Sequence, residues 1–166
     1  MSAVLIAHPQ WPNAWIADPQ TPRLADKPAQ AIEVAVGILL QADQSFLLTT
    51  RPPGKVYAGY WEFPGGKLEA GASLIQAMHR ELQEELGIEV TESEAWMTVE
   101  VDYPHANVKL QTCRITQWQG ELIMREGQQH QWCRWPLGVK PVLPGAWPML
   151  HSLASAQGWH QALTRD

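Results

Sequence analysis

Glu81, Glu84 and Glu85 fall within the run Arg80–Gly87, RELQEELG. On a helix, residues three and four apart are neighbours, and each like-charged pair costs about 0.2–0.5 kcal/mol. Such a crowd is either a solvated acidic face or a set gathered round a cation. Carboxylate oxygens suit a hard divalent ion, Mg²⁺ or Mn²⁺, and that ion suits phosphate chemistry.

The helix that must carry these acids is legible. Ser73 is placed to cap it, with Gln76 three residues on in a capping-box pattern, and Gly87 is placed to end it. At about 100° per residue, Leu74, Ile75, Met78, Leu82 and Leu86 form an apolar stripe roughly 120° wide. Glu85 lies close to its edge, where a carboxylate is partly desolvated and needs a cation or a proton. Upstream, Phe63–Gly66, FPGG, reads as a strand ending in a Pro-Gly-Gly turn, whose bare backbone can approach a ligand and offer carbonyls to a metal. Strand, glycine turn, Lys67 and acidic helix together make a compact phosphate–metal site.

Gly66–Ile88, GKLEAGASLIQAMHRELQEELGI, resembles the Nudix box, G-x5-E-x7-R-E-U-x-E-E-x-G-U with U a bulky aliphatic residue. Gly66, Arg80, Glu81, Leu82, Glu84, Glu85, Gly87 and Ile88 match it, and Ala72 stands where the first Glu belongs. VAVGILL, TTR, WEFPGGK and VDYPHANVKL extend the likeness to the MutT-like branch, over about Ile32 to Gln157. The resemblance implies an α+β Nudix fold, a mixed sheet between helices with the box as loop–helix–loop. It implies Mg²⁺-dependent hydrolysis, with Mn²⁺ as substitute, of a nucleoside triphosphate to monophosphate and pyrophosphate. Clearing oxidised precursors such as 8-oxo-dGTP is the best-known task of that branch. The implied metal ligands are Glu81, Glu84, Glu85, Glu126 of REGQ and the Gly65 carbonyl. Glu81 is the candidate base and Arg80 steadies the acids. Arg51 and Lys67 are candidate phosphate contacts, and Phe63, Tyr103 and Trp147 candidate base contacts. Ala146 takes the place where this branch offers an Asn or Asp to the base edge, which puts purine specificity in doubt. Two other readings keep the same fold: hydrolysis of another nucleoside diphosphate derivative, or a non-catalytic nucleotide-binding domain.

The remaining elements frame this site. IEVAVGILL and SFLLTTR read as buried strands, MTVEVDYP and NVKLQTCRITQW as an antiparallel hairpin, and GELIM and QWCRWPL as further short strands. AWPMLHSLASAQG reads as a C-terminal helix. Residues 1–31 hold five prolines, with Trp11 and Trp15, and read as an extended arm. A short strand at Val4–Ala7 and docked indoles are expected in it, followed by a Nudix domain over 32–166.

The 166-residue chain suits one packed domain after the arm. A net charge of -5 argues against gripping a nucleic-acid polymer, although a small nucleotide is still reachable through a metal. Cys113 and Cys133 have no zinc-like spacing and read as buried thiols of a reducing cytoplasm. No secretory leader or membrane span is expected. His79, His105 and His130 read as surface histidines.

Overall fold

The structure, a computed structural model, describes residues 5–159. Among these the order is β1 (Leu5–Ala7), β2 (Ala14–Ala17), β3 (Ile32–Leu39), β4 (Phe46–Thr50), β5 (Trp61–Glu62), β6 (Gly65–Lys67), α1 (Leu74–Leu86), β7 (Glu89–Asp102), β8 (Asn107–Gln119), β9 (His130–Cys133) and α2 (Trp147–Ala156). A 3₁₀ turn, Pro144–Ala146, leads into α2.

The strands form a six-stranded sheet in the order β1-β2-β7-β8-β3-β6 and a three-stranded sheet in the order β5-β4-β9. Pairing is mixed, with β3 parallel to β8 and β2 parallel to β7. Side chains alternate across a strand, and β3 uses both faces. Val36 and Ile38 join a core that includes Met149, Leu150 and Leu153 of α2, while Ala35 and Leu39 join one that includes Ala77, Met78, Leu82 and Leu86 of α1. The sheet therefore lies between the two helices, as the α+β reading requires.

Helix α1 forms where its caps and composition direct. Its interior is mostly Leu, Gln, Ala, Met and Glu, all good helix formers. Ser73 Oγ accepts the Gln76 N–H at 3.1 Å, and Gly87 ends the helix at φ 69°, its N–H bonded to Gln83 O. Gly37 on β3 lets the helix sit close, since a Cβ there would meet Met78 and Leu82 at 3.1 and 3.3 Å.

Three expectations change. Gly65–Lys67 is a strand paired with β3 and not a turn, because β3 offers a free edge to any extended backbone, glycine included. GELIM is not a strand; its backbone closes the end of α1 instead. The proline-rich arm contributes β2 as well as β1, and β2 lies along β7 in the register Ala14↔Glu100 to Ile16↔Asp102. Val4 of the expected first strand lies outside the described residues. Trp15 packs against the core, but Trp11 does not dock and is 60% exposed. Cys113 and Cys133 are buried and free.

Candidate active site

Strand β6 is held so closely against β3 that only glycine fits at Gly65: a Cβ there would stand 2.1 Å from the Ala35 carbonyl oxygen. At Gly66 the obstacle is the acid itself, since a Cβ would lie 2.3 Å from Glu81 Cδ. The Glu81 carboxyl thus rests directly on the bare backbone of β6. Sequence spacing alone does not show that contact; it arises because α1 packs across β3 and β6.

The three helix acids separate once the helix is packed. Glu81 and Glu85 are half-buried and share a face, whereas Glu84 is exposed. Burial, and then the neighbouring Glu84, push the Glu81 carboxyl above the usual range, while Arg80 opposes them. Arg80 reaches Glu81 at 3.4 Å and Glu69 at 3.8 Å. Glu85 is raised further, to about 8, first by burial and then by the charges of Glu126, Glu81 and Glu62.

Glu126 is brought in by the segment expected to be a strand. The Ile123 N–H donates to Leu86 O at 2.9 Å and the Arg125 N–H to Glu85 O at 3.1 Å. These bonds satisfy carbonyls that the last turn of any helix leaves open. They also tether residue 126 beside Glu85, and its own N–H donates to Gln128 Oε1 at 3.0 Å. Glu62, at the end of β5, is an acid that sequence reasoning missed. It pairs with Arg51 Nη1 at 2.9 Å, yet burial still raises its carboxyl. The available signal was a lone carboxylate in the aromatic run YWEF, one residue before Phe63-Pro64-Gly65-Gly66.

These groups border one cavity of about 260 Å³. Its lining includes the charged residues Glu62, Glu85, Glu126, Arg51, Lys67 and also Lys55, which sequence reasoning passed over. Phe63, Tyr103, Val34, Leu110, Ala146 and Met149 line it too. Gly65 and Gly66 lie along the wall, so the structure gathers Arg51, Phe63, Gly65, Lys67, Glu85, Tyr103 and Glu126 at one place. Arg80, Glu81 and Glu84 do not border it.

Several roles shift in detail. Arg51 is engaged, its Nε–H bonded to Val56 O at 2.7 Å as well as its Nη1 to Glu62. Tyr103 is buried, its hydroxyl accepting the Gly145 N–H at 2.9 Å. Trp147 must be corrected: it is 3% exposed, sits in the α2 core and does not border the cavity. Its backbone starts α2, so the ring turns inward while the preceding Ala146 faces the cavity. His105 must also be corrected. It borders the cavity, its ring centroid 5.4 Å from that of Tyr103, and burial lowers its pKa so that the neutral form is favoured. His79 and His130 are exposed as expected.

Whether a cation fits is decided by charge here, not by a closed ligand cage. Among the described residues no three acids stand close enough together to enclose one ion. Yet Glu85 is half-buried among three other carboxylates that all raise its proton affinity, and Arg51 and Arg80 are paired to Glu62 and Glu81. A divalent cation is the group whose charge offsets such a set.

A glycine strand beneath an acid-bearing helix, beside a cavity lined by lysines, an arginine and aromatic rings, suits phosphate chemistry. The chain belongs to the NUDIX family: residues 31–148 match the NUDIX domain. It is 38% identical over 96 residues to an 8-oxo-dGTP diphosphatase of Proteus vulgaris, covering 58% of this chain and 86% of that one. It is 35% identical over 122 residues to a CTP pyrophosphohydrolase of Escherichia coli, covering 73% of this chain and 90% of that one. A solved MutT structure from the pair Aliivibrio salmonicida and Vibrio cholerae is 35% identical, with a TM-score of 0.63 over 76% of this chain and 99% of that one. This is a family of hydrolases that need a divalent metal. Among the described residues no helix is long and apolar enough to cross a membrane.

Proposed function

We propose that this chain is a Mg²⁺-dependent pyrophosphohydrolase that cleaves a free nucleoside triphosphate of the cytoplasm into a nucleoside monophosphate and pyrophosphate. The observation that carries the reading is one cavity lined both by the carboxylates Glu62, Glu85 and Glu126 and by the rings of Phe63 and Tyr103. The relatives named 8-oxo-dGTP diphosphatase and CTP pyrophosphohydrolase support a triphosphate substrate.

Glu81, Glu84, Glu85, Glu126 and the Gly65 carbonyl are the groups that would hold the ion. When bound, it neutralises phosphate oxygens and assists the departure of the leaving phosphate. Lys55, Lys67 and Arg51 draw the triphosphate to the cavity. Glu81 orients the attacking water and accepts its proton, its carboxyl already given a raised proton affinity by burial. Arg80 keeps Glu81 in place through their contact at 3.4 Å. The water oxygen forms a bond to one phosphorus, the α–β anhydride bond breaks, and the bridging oxygen leaves on the other phosphoryl group. Phe63 and Tyr103 flank the base.

Ala146 borders the cavity and its methyl group makes no hydrogen bond, so the reading is of an enzyme tolerant in base and not strict for an oxidised purine. A panel of nucleoside triphosphates with Mg²⁺, oxidised ones included, tests this, with pyrophosphate and phosphate assayed separately. Pyrophosphate release from several bases at comparable kcat/KM is expected. Phosphate alone would reject the bond assignment, and turnover of a single oxidised purine would reject the tolerance.

A further inference from the structure

A residue that precedes the family match bonds a side chain that borders the cavity. Strand β2 ends at Ala17, and the next side chain, Asp18, accepts a hydrogen bond from the Tyr57 hydroxyl through Oδ2. Tyr57 borders the cavity, and Asp18 does not. The Tyr57 ring stands 5.5 Å from Tyr103 and 6.1 Å from His105, centroid to centroid, and edge-on to Tyr60 at 5.1 Å. Its backbone is at φ 61°, a left-handed conformation that costs a bulky residue about 1–2 kcal/mol and persists only where surroundings hold it.

The Asp18 turn is itself clamped. Arg23 donates to the carbonyls of Ala17 at 2.8 Å and of Asp18, Thr21 and Asp102 at 3.2 Å each. Its Nε also lies 3.3 Å from the Asp102 carboxylate, which Lys27 pairs with too. The Leu24 N–H donates to Pro104 O at 3.0 Å, on the turn that carries Tyr103 and His105. One short segment therefore grips two separate loops whose rings meet at the cavity. The loop of Tyr57 and the turn of Tyr103–His105 have no sequence proximity, and this segment bonds to both.

We propose that residues 14–27 are a built-in specificity element: Asp18 is a positioning residue that sets Tyr57 against Tyr103 and His105 as the wall on which a nucleobase stacks. The inference rests on the nucleoside triphosphate reading above. Asp18 does not border the cavity and acts through the Tyr57 ring, in the loop that also carries Lys55 and whose Val56 carbonyl accepts the Arg51 Nε–H.

The test is steady-state kinetics of the full chain with Mg²⁺, using Asp18→Ala, Asp18→Asn, Tyr57→Phe and the Asp18→Ala/Tyr57→Phe pair. Inorganic pyrophosphate serves as a base-free inhibitor. Loss of one hydrogen bond predicts a KM about five- to tenfold higher in Asp18→Ala, with kcat and the pyrophosphate inhibition constant within about twofold of wild type. Tyr57→Phe should match it, the pair should be no worse than either single change, and Asp18→Asn, which keeps an acceptor oxygen, should restore a near wild-type KM. A purely structural role would instead lower kcat and weaken pyrophosphate together, and that result overturns the proposal. So does a wild-type KM in Asp18→Ala. If wild-type protein turns over no triphosphate, the underlying reading fails and takes this inference with it. An active wild type with an indifferent Asp18→Ala rejects the inference alone.

Discussion

The acids and the rings that meet around the cavity are brought together by opposite means. The acids lean on residues close in sequence: Gly65, Gly66, Glu81 and Glu85 come from one strand–helix unit, with Glu126 tied to it by backbone bonds. The rings and methyl group come from distant ones: Tyr57, the Tyr103–His105 turn and Ala146 belong to three parts of the chain, and Asp18 to a fourth. The acids raise one another's proton affinity, and the rings and methyl groups fit by packing. The acids thus lean on one strand–helix unit, while the rings are supplied from across the fold.

The largest expected effect breaks the comparison on the side of the acids. Glu85→Gln should lower kcat by about 10²–10⁴-fold while leaving the ranking of bases intact. Exposed Glu84→Gln should be at least about tenfold milder. Pyrophosphate release across the same triphosphate panel checks both, and equal losses would mean that burial does not distinguish the two acids.

Gly65→Ala comes next, because a Cβ 2.1 Å from the Ala35 carbonyl forces β6 away from β3. Thermal melting should show a loss of about 1–3 kcal/mol, and activity should fall with it.

A third test uses pH. The Glu85 carboxyl, ordinarily near 4.5, is held at about 8 in the metal-free fold. Its contribution to stability is complete below about 4.5 and is lost as pH rises through about 8. A cation binds the ionised form, so its stabilisation must grow over the same window. The rise in melting temperature on adding Mg²⁺ should be about 3 °C or more larger at about pH 8.5 than at about pH 6. A shift independent of pH would remove Glu85 from the metal set.

The smallest effect sharpens the other side. Ala146→Asn gives the base wall a hydrogen-bonding group and should change the relative KM of different bases by roughly tenfold or less, read from the same panel. An unchanged ranking would show that position 146 does not meet the base.

Local patterns made α1 readable, since an apolar stripe, Ser73 and Gly87 act within a few residues of one another. The strands β3, β4, β7 and β8 were readable for the same reason, their runs being apolar or alternating. Strand β6 was not, because Gly-Gly-Lys has no strand propensity and pairs only where β3 offers an edge. Nor was β2, whose four residues follow a stretch that includes Pro9 and Pro12 and gain their pairing from β7.

By itself, then, the sequence determined the helix, its caps, the acids it carries and the family to which they point. These depend on period, caps and short spacings. The tertiary structure decided which acids face inward, that Glu62 joins them, that Trp147 leaves for the core and that Asp18 reaches Tyr57, 39 residues away. Such facts follow from which faces the packed sheets and helices leave to water, and no local pattern encodes that.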